Sequence, residues 1–309
     1  MKKLNAILIL SIAILMEGCT FALASSKADK ITPSRNYISK AFDINGFTAI
    51  RSNSIIDVEY TQSTGYSKIE VTAPENLMQY VSISKSGSTL NIDCEKFSTK
   101  NFSGNFHITA KVTAPAVTGF TLNGTGDIKF MNALNTKNDI TITSNGTGDV
   151  EGPTVICSRL SASSNGTGDI DISSVESKYA HLSLVGTGDI DIISLRASDA
   201  KIRLQGTGDI ELKTLSTTSL DASLSGTGDI DINGGTAVNA SLNLTGTGDI
   251  NAKKLKVENA TVNNHSVGDV ECFATESLTI YNSGIGSVEY KGSPRKLDIV
   301  NGKGIKRIK

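Results

Sequence analysis

The sequence contains no tryptophan, five prolines, four cysteines and three histidines in 309 residues, and aromatic residues make up only 5% of it. Each scarcity removes a class of protein. The cysteines, Cys19, Cys94, Cys157 and Cys272, lie far apart, which fits neither a disulfide scaffold nor a metal cluster. Small buried hydrophobes is one reading of the last three; one disulfide and one free thiol is the other. A net charge of −1 supplies no basic field for nucleic acid. His107, His181 and His265 have no serine or cysteine partner at a suggestive spacing, so no catalytic residue is assigned and the chain reads as non-enzymatic. Few aromatics also leave little to stack on sugar rings. With 38% hydrophobic residues the chain is nevertheless no disordered polymer.

What the chain has instead is glycine, 29 of them, and a repeated phrase. Gly-Thr-Gly-Asp-Ile/Val begins at Gly124, Gly146, Gly166, Gly186, Gly206, Gly226 and Gly246. Degraded echoes follow at Ser266-Val267-Gly268-Asp269-Val270, Gly284-Ile285-Gly286-Ser287-Val288 and Gly302-Lys303-Gly304-Ile305. A period near twenty residues signals a solenoid.

Counting the first glycine as zero, positions +4 and +6 are apolar (Ile170 and Ile172, Ile190 and Ile192) and +5 is polar (Asp171, Asp191, Glu211, Asp231). Position +9 is mostly apolar, as in Val175, Leu195 and Leu215. A second alternating stretch precedes each phrase, with Ala180, Leu182 and Leu184 inward and His181 outward. The expected fold is therefore all-β, a right-handed parallel β-helix of roughly twenty-residue coils. Coils about 4.8 Å apart would make a rod about 45 Å long.

The rest of the chain divides around that array. Residues 1–24 read as a signal peptide, with Lys2 and Lys3 before an apolar run too short to span a bilayer comfortably. Two exits are open. Met16-Glu17-Gly18-Cys19 resembles a lipobox that would lipidate Cys19, and Ala22-Leu23-Ala24 suits cleavage before Ser25. Either way the protein is expected to be exported, to the periplasm, outer membrane or cell surface. Its only membrane contact would then be a lipid anchor. Residues 25–40 read as a polar tether, 41–120 as irregular β coils or a cap, and 121–309 as the repetitive β-helix.

The phrase is a corner, where glycine permits positive φ and close stacking, and where aspartate accepts turn N–H groups. Stacking places Asp149, Asp169, Asp189, Asp209, Asp229 and Asp249 in a column, with Asp127 and Asp269 at its ends. Like charges one coil apart repel by about 1 kcal/mol in water. Turn hydrogen bonds offset that in one reading. Calcium, a hard ion that takes six to eight oxygens, offsets it in another, and makes those six aspartates metal ligands. A cationic partner is the third. Otherwise no cofactor is expected. The threonine column, one residue per coil, is too narrow for an ice-binding lattice. Polysaccharide lyases of β-helical fold carry their sites on long loops, and these coils are uninterrupted from Gly146 to Asp269.

Several stretches resemble one family. These are Gly46-Phe47-Thr48-Ala49-Ile50, Ile56 to Gln62, Ala73-Pro74-Glu75-Asn76-Leu77, Gly87 to Ile92, and Val112-Thr113-Ala114-Pro115 ahead of the first Gly124-Thr125-Gly126-Asp127-Ile128. From about Ile44 to Ile305 the chain resembles the bacterial auto-transporter adhesins of the head GIN domain type. The resemblance implies a secreted or lipid-anchored β-helical envelope protein with an adhesin-like or scaffold role. It brings no catalytic residues. The partner, a glycan or an envelope component, stays unassigned. A calcium-dependent polysaccharide-binding or lyase-type β-helix is the alternative.

Overall fold

In a computed structural model the chain is described over residues 30–95, 101–102, 104–115 and 117–309. The expected signal peptide, Cys19 and the first residues of the expected tether lie outside these.

The repeats build a parallel β-solenoid. Each coil is one long bent strand, not two short ones: Ile170–Leu184, Ile190–Leu204 and Ile210–Leu224 each run fifteen residues. Neighbouring coils pair in parallel at a register of twenty, Ile170 with Ile190 and Ile190 with Ile210. Pairing lapses at one position after +6 and again at +12, as at Ser173 and Lys178. With the Gly-Thr-Gly-Asp corner, these lapses divide the coil into three faces. The alternation of period two now has a geometric meaning, because side chains on a strand point alternately in and out.

The inward columns are those read from sequence, and they are buried: Ile170, Ile172, Val175, Ala180, Leu182 and Leu184 in one coil. A further inward column at +11 holds Cys157, Ala197, Thr217, Ala237 and Val257. Its mixed, small side chains hide it from a hydrophobicity pattern. Cys94, Cys157 and Cys272 are buried and free, so the disulfide alternative does not hold. Burial pushes the Cys157 thiol up to about 11 and that of Cys272 to about 12.

One coil departs from the pattern. It divides into Ile230–Ile232 and Gly235–Leu244, and Gly235 adopts φ +111° where the chain re-enters the ladder.

The N-terminal end is closed by strands of the opposite sense. Ala49–Ser52 and Asp57–Gln62 form a coil that stacks on Gly119–Leu122 and Ile128–Phe130. Thr89–Cys94 and Thr109–Ala114 cover its other side in parallel. Val81–Ser86 then pairs antiparallel with Thr89–Cys94, and Lys68–Pro74 with Thr109–Ala114. The outermost strand, Tyr37–Phe42, pairs with Lys68–Pro74. The expected tether over 25–40 is corrected from residue 30 onward, because Lys30–Ile31 and residues 37–40 belong to strands. The polar composition of 37–40 reflects an edge strand with mostly exposed side chains. Beneath this cap, Tyr60, Phe120 and Phe130 pack with ring centroids 4.7 to 6.5 Å apart, and the Tyr60 hydroxyl donates to the Ala114 carbonyl.

Candidate functional site: an acidic groove along the corner

The corner glycines are required by proximity. A Cβ on either glycine of each stacked phrase, from Gly146 to Gly248, would fall well inside the radius of a backbone oxygen of the coil beneath. Positive φ, the other expected reason, is corrected: the positive-φ glycines are Gly46, Gly87, Gly104, Gly235, Gly292 and Gly304, none in an intact phrase. Close approach lets successive corners hydrogen-bond, Thr187 N–H to the Gly166 carbonyl at 2.9 Å and Thr207 N–H to that of Gly186 at 3.1 Å.

The aspartates complete the corner. Asp189 Oδ1 accepts the backbone N–H of Asp209 at 2.7 Å, and Asp209 Oδ1 that of Asp229 at 2.7 Å. The same bond links Asp149 to Asp169, Asp169 to Asp189, Asp229 to Asp249 and Asp249 to Asp269. It begins at Asp57, whose Oδ1 accepts from Asp127, and ends at Asp269, which accepts from Ser287. In return the Asp209 carbonyl accepts the N–H of Ile190 at 3.0 Å. A carboxylate oxygen thus substitutes for a ladder carbonyl where the strand bends. Bonds of this kind, to a charged acceptor, are stronger than neutral ones.

The six aspartates expected from sequence are therefore brought into one row, each with one oxygen engaged by backbone. Beside them, on the same face, runs the +5 column. Near the C-terminal part the two columns line a groove of about 230 Å³ between Asp229, Asp249 and Asp269 on one side and Asp231, Asn251 and Glu271 on the other. Lysines neutralise the ends of the +5 column, Lys129 on Glu151 and Lys253 on Glu271, both at 2.6 Å. Between them Asp171, Asp191, Glu211 and Asp231 have no ion pair among the described residues. Partial loss of water, then the charges of Asp171 and Glu211, push Asp191 up to about 6. Asp171 and Asp231 rise for the same first reason, with Asp169 and Asp229 the nearest charges. Among the described residues no three His, Cys, Asp or Glu side chains converge to hold a metal ion.

Sequence reasoning missed a second ladder beside the corner. Asn165 Nδ2 donates to Asn145, Asn145 to Asn123, and Asn123 to Asn53, at 2.8 to 2.9 Å. Its signal was an asparagine immediately before the phrase in three successive coils. The exposed threonines Thr187, Thr207 and Thr227 line the corner's outer edge. His181 lies on a different face, its pKa lowered by partial burial and then by Lys201 and Arg203.

Comparison with solved structures finds a similar fold in a putative adhesin from Parabacteroides merdae ATCC 43184, which is 18% identical, with a TM-score of 0.55 over 91% of this chain and 100% of that one. A putative adhesin from Bacteroides fragilis NCTC 9343 is 24% identical over 90% and 100%, with a TM-score of 0.39. A putative lipid binding protein from Parabacteroides distasonis ATCC 8503 is 25% identical over 91% and 100%, with a TM-score of 0.47. No curated protein matches the chain. Residues 46–235 and 181–294 both match the family described as "Putative auto-transporter adhesin, head GIN domain". Those two matches span most of the cap and nearly every coil, and the chain belongs to that family.

Proposed function

We propose that the protein is a non-enzymatic, adhesin-like binding rod of the cell envelope, and that it presents the acidic groove to an extended partner. The observation that carries this reading is the repetition of the same outward residues, Asp171, Asp191, Glu211 and Asp231, at successive coils. Such a row offers equivalent contacts at a fixed spacing, which suits a repeating polymer or a surface better than one small molecule. Carboxylates accept hydrogen bonds from sugar hydroxyls and attract cationic groups. Contacts that are weak singly add along the rod.

The test is binding of labelled protein, from residue 25 onward, to glycan arrays and to whole cells. Asp191→Asn with Asp231→Asn is expected to reduce any signal on the acidic face. Silence on both arrays and cells would leave only a scaffold role. The calcium-dependent alternative is examined by repeating the binding and a thermal melt with calcium and with EDTA. A midpoint and a signal that both rise with calcium would favour it over the reading proposed here.

A further inference from the structure

The two ends of the rod are built differently. At the C-terminal end, Lys296–Gly302 pairs with Val270–Asn282, and Ile305–Arg307 with Val288–Lys291. No strand among the described residues covers their other edges. Leu297 and Ile299 stand in register with Leu278 and Ile280, which are fully buried. Leu297 and Ile299 continue those inward columns yet are each 43% exposed, and Val300 is 50% exposed. The register shifts at this point, so the strand bulges.

The same tip is cationic. Residues 290–309 carry seven lysines and arginines against one acidic residue, Asp298, a formal +6, so the other residues carry −7 of the chain's −1. Arg295 and Lys306 pair with Glu276 and Glu289. Lys296, Lys303 and Lys309 are exposed and have no carboxylate partner among the described residues.

We propose that this tip docks on an anionic lipid surface. Aliphatic side chains enter the boundary between headgroups and acyl chains while the surrounding cations meet lipid phosphates, the composition of an interfacial membrane site. The other occupants fit less well. A second copy meeting tip to tip would set the exposed cations of one copy, Lys296, Lys303 and Lys309, against those of the other. An added strand from an acidic protein needs a straight free edge, and a bulge with an edge lysine is how proteins block such addition. A headgroup layer demands no strand pairing and keeps the free edge groups hydrated. The proposal concerns the end of the rod and stands whatever the acidic side binds.

The test is co-sedimentation of the chain from residue 25, which keeps every described residue and omits any lipid at Cys19. The vesicles are phosphatidylcholine with about 30% phosphatidylglycerol, compared with phosphatidylcholine alone. The protein is expected to sediment with the anionic vesicles only, and less so as salt rises. Lys303→Gln with Lys309→Gln, both exposed, should weaken partitioning by about 20-fold, roughly fivefold for each cation, with an unchanged melt. No sedimentation, equal sedimentation with phosphatidylcholine alone, or an unaffected double variant would overturn the proposal. Binding to polyglutamate without binding to vesicles would overturn it in favour of an acidic protein partner.

Discussion

Asp189 and Asp191 lie two residues apart on the same face and do opposite things. Asp189 is tied to the backbone: its Oδ1 accepts the next coil's N–H. Asparagine keeps that acceptor and alanine does not. Asp189→Asn should therefore stay near the parent in denaturant midpoint, whereas Asp189→Ala should lose about 1–2 kcal/mol. Equal losses in both would show that charge, and not the hydrogen bond, is what the column needs. Asp191 has no such bond, and its pKa in the fold, about 6, lies above the ordinary 3.8. The folded state then binds more protons than the unfolded one between those values, so stability falls as pH rises from about 4 to 6. A thermal melt should show the midpoint rising as pH is lowered from 7 toward 5. Asp191→Asn should raise the pH 7 midpoint by roughly 2 °C, a small figure because the group remains in contact with solvent, and flatten that dependence.

At the scale of the coil, the sequence made the inward columns at +4, +6 and +9 legible because each keeps one residue class through many repeats. Leu184, Leu204, Leu224 and Leu244 were legible for the same reason. Where that column turns polar, the structure gives the cause: buried Ser164 and Asn264 donate to the carbonyls of Gly168 and Gly268, holding the corner from inside. The +11 column was not legible, since cysteine, alanine, threonine and valine share size more than polarity. Nor was the antiparallel pairing of the cap, which was expected only as irregular β coils or a cap, because alternation in Lys68–Pro74 says which side faces inward but not which neighbour it meets. The glycines were legible, and close stacking was one of the two reasons expected for them; the choice between the two was not legible, because a repeated glycine looks the same whether it needs positive φ or a near neighbour. Gly206→Ala separates the reasons. Its Cβ would meet the Gly186 carbonyl, which cannot yield as a flexible side chain would, so a loss of at least about 3 kcal/mol or failure to accumulate soluble protein is expected. Gly65→Ala, with nothing within 4 Å, should melt as the parent does.

Across the whole molecule, each coil touches chiefly its two neighbours, so stability is close to a sum of coils and interfaces. Removing residues 186–205 deletes one period and joins Val185 to Gly206, with every column still in register. That deletion should leave the β circular-dichroism spectrum intact and lower the midpoint modestly. Removing 186–195 alone would place strand against corner, and should yield insoluble protein. Soluble, cooperatively melting protein from the half-period deletion would contradict the stacked-coil account.

Every aspartate in the ladder offers its oxygen toward the C-terminal side and its N–H toward the N-terminal side. A coil copied once more therefore arrives with both halves of its joint already made. A slip in replication that duplicates or drops one repeat would change the reach of the protein without disturbing a core that has to be solved anew. Length becomes a heritable quantity that varies in whole steps, while the two differently built ends stay as they are.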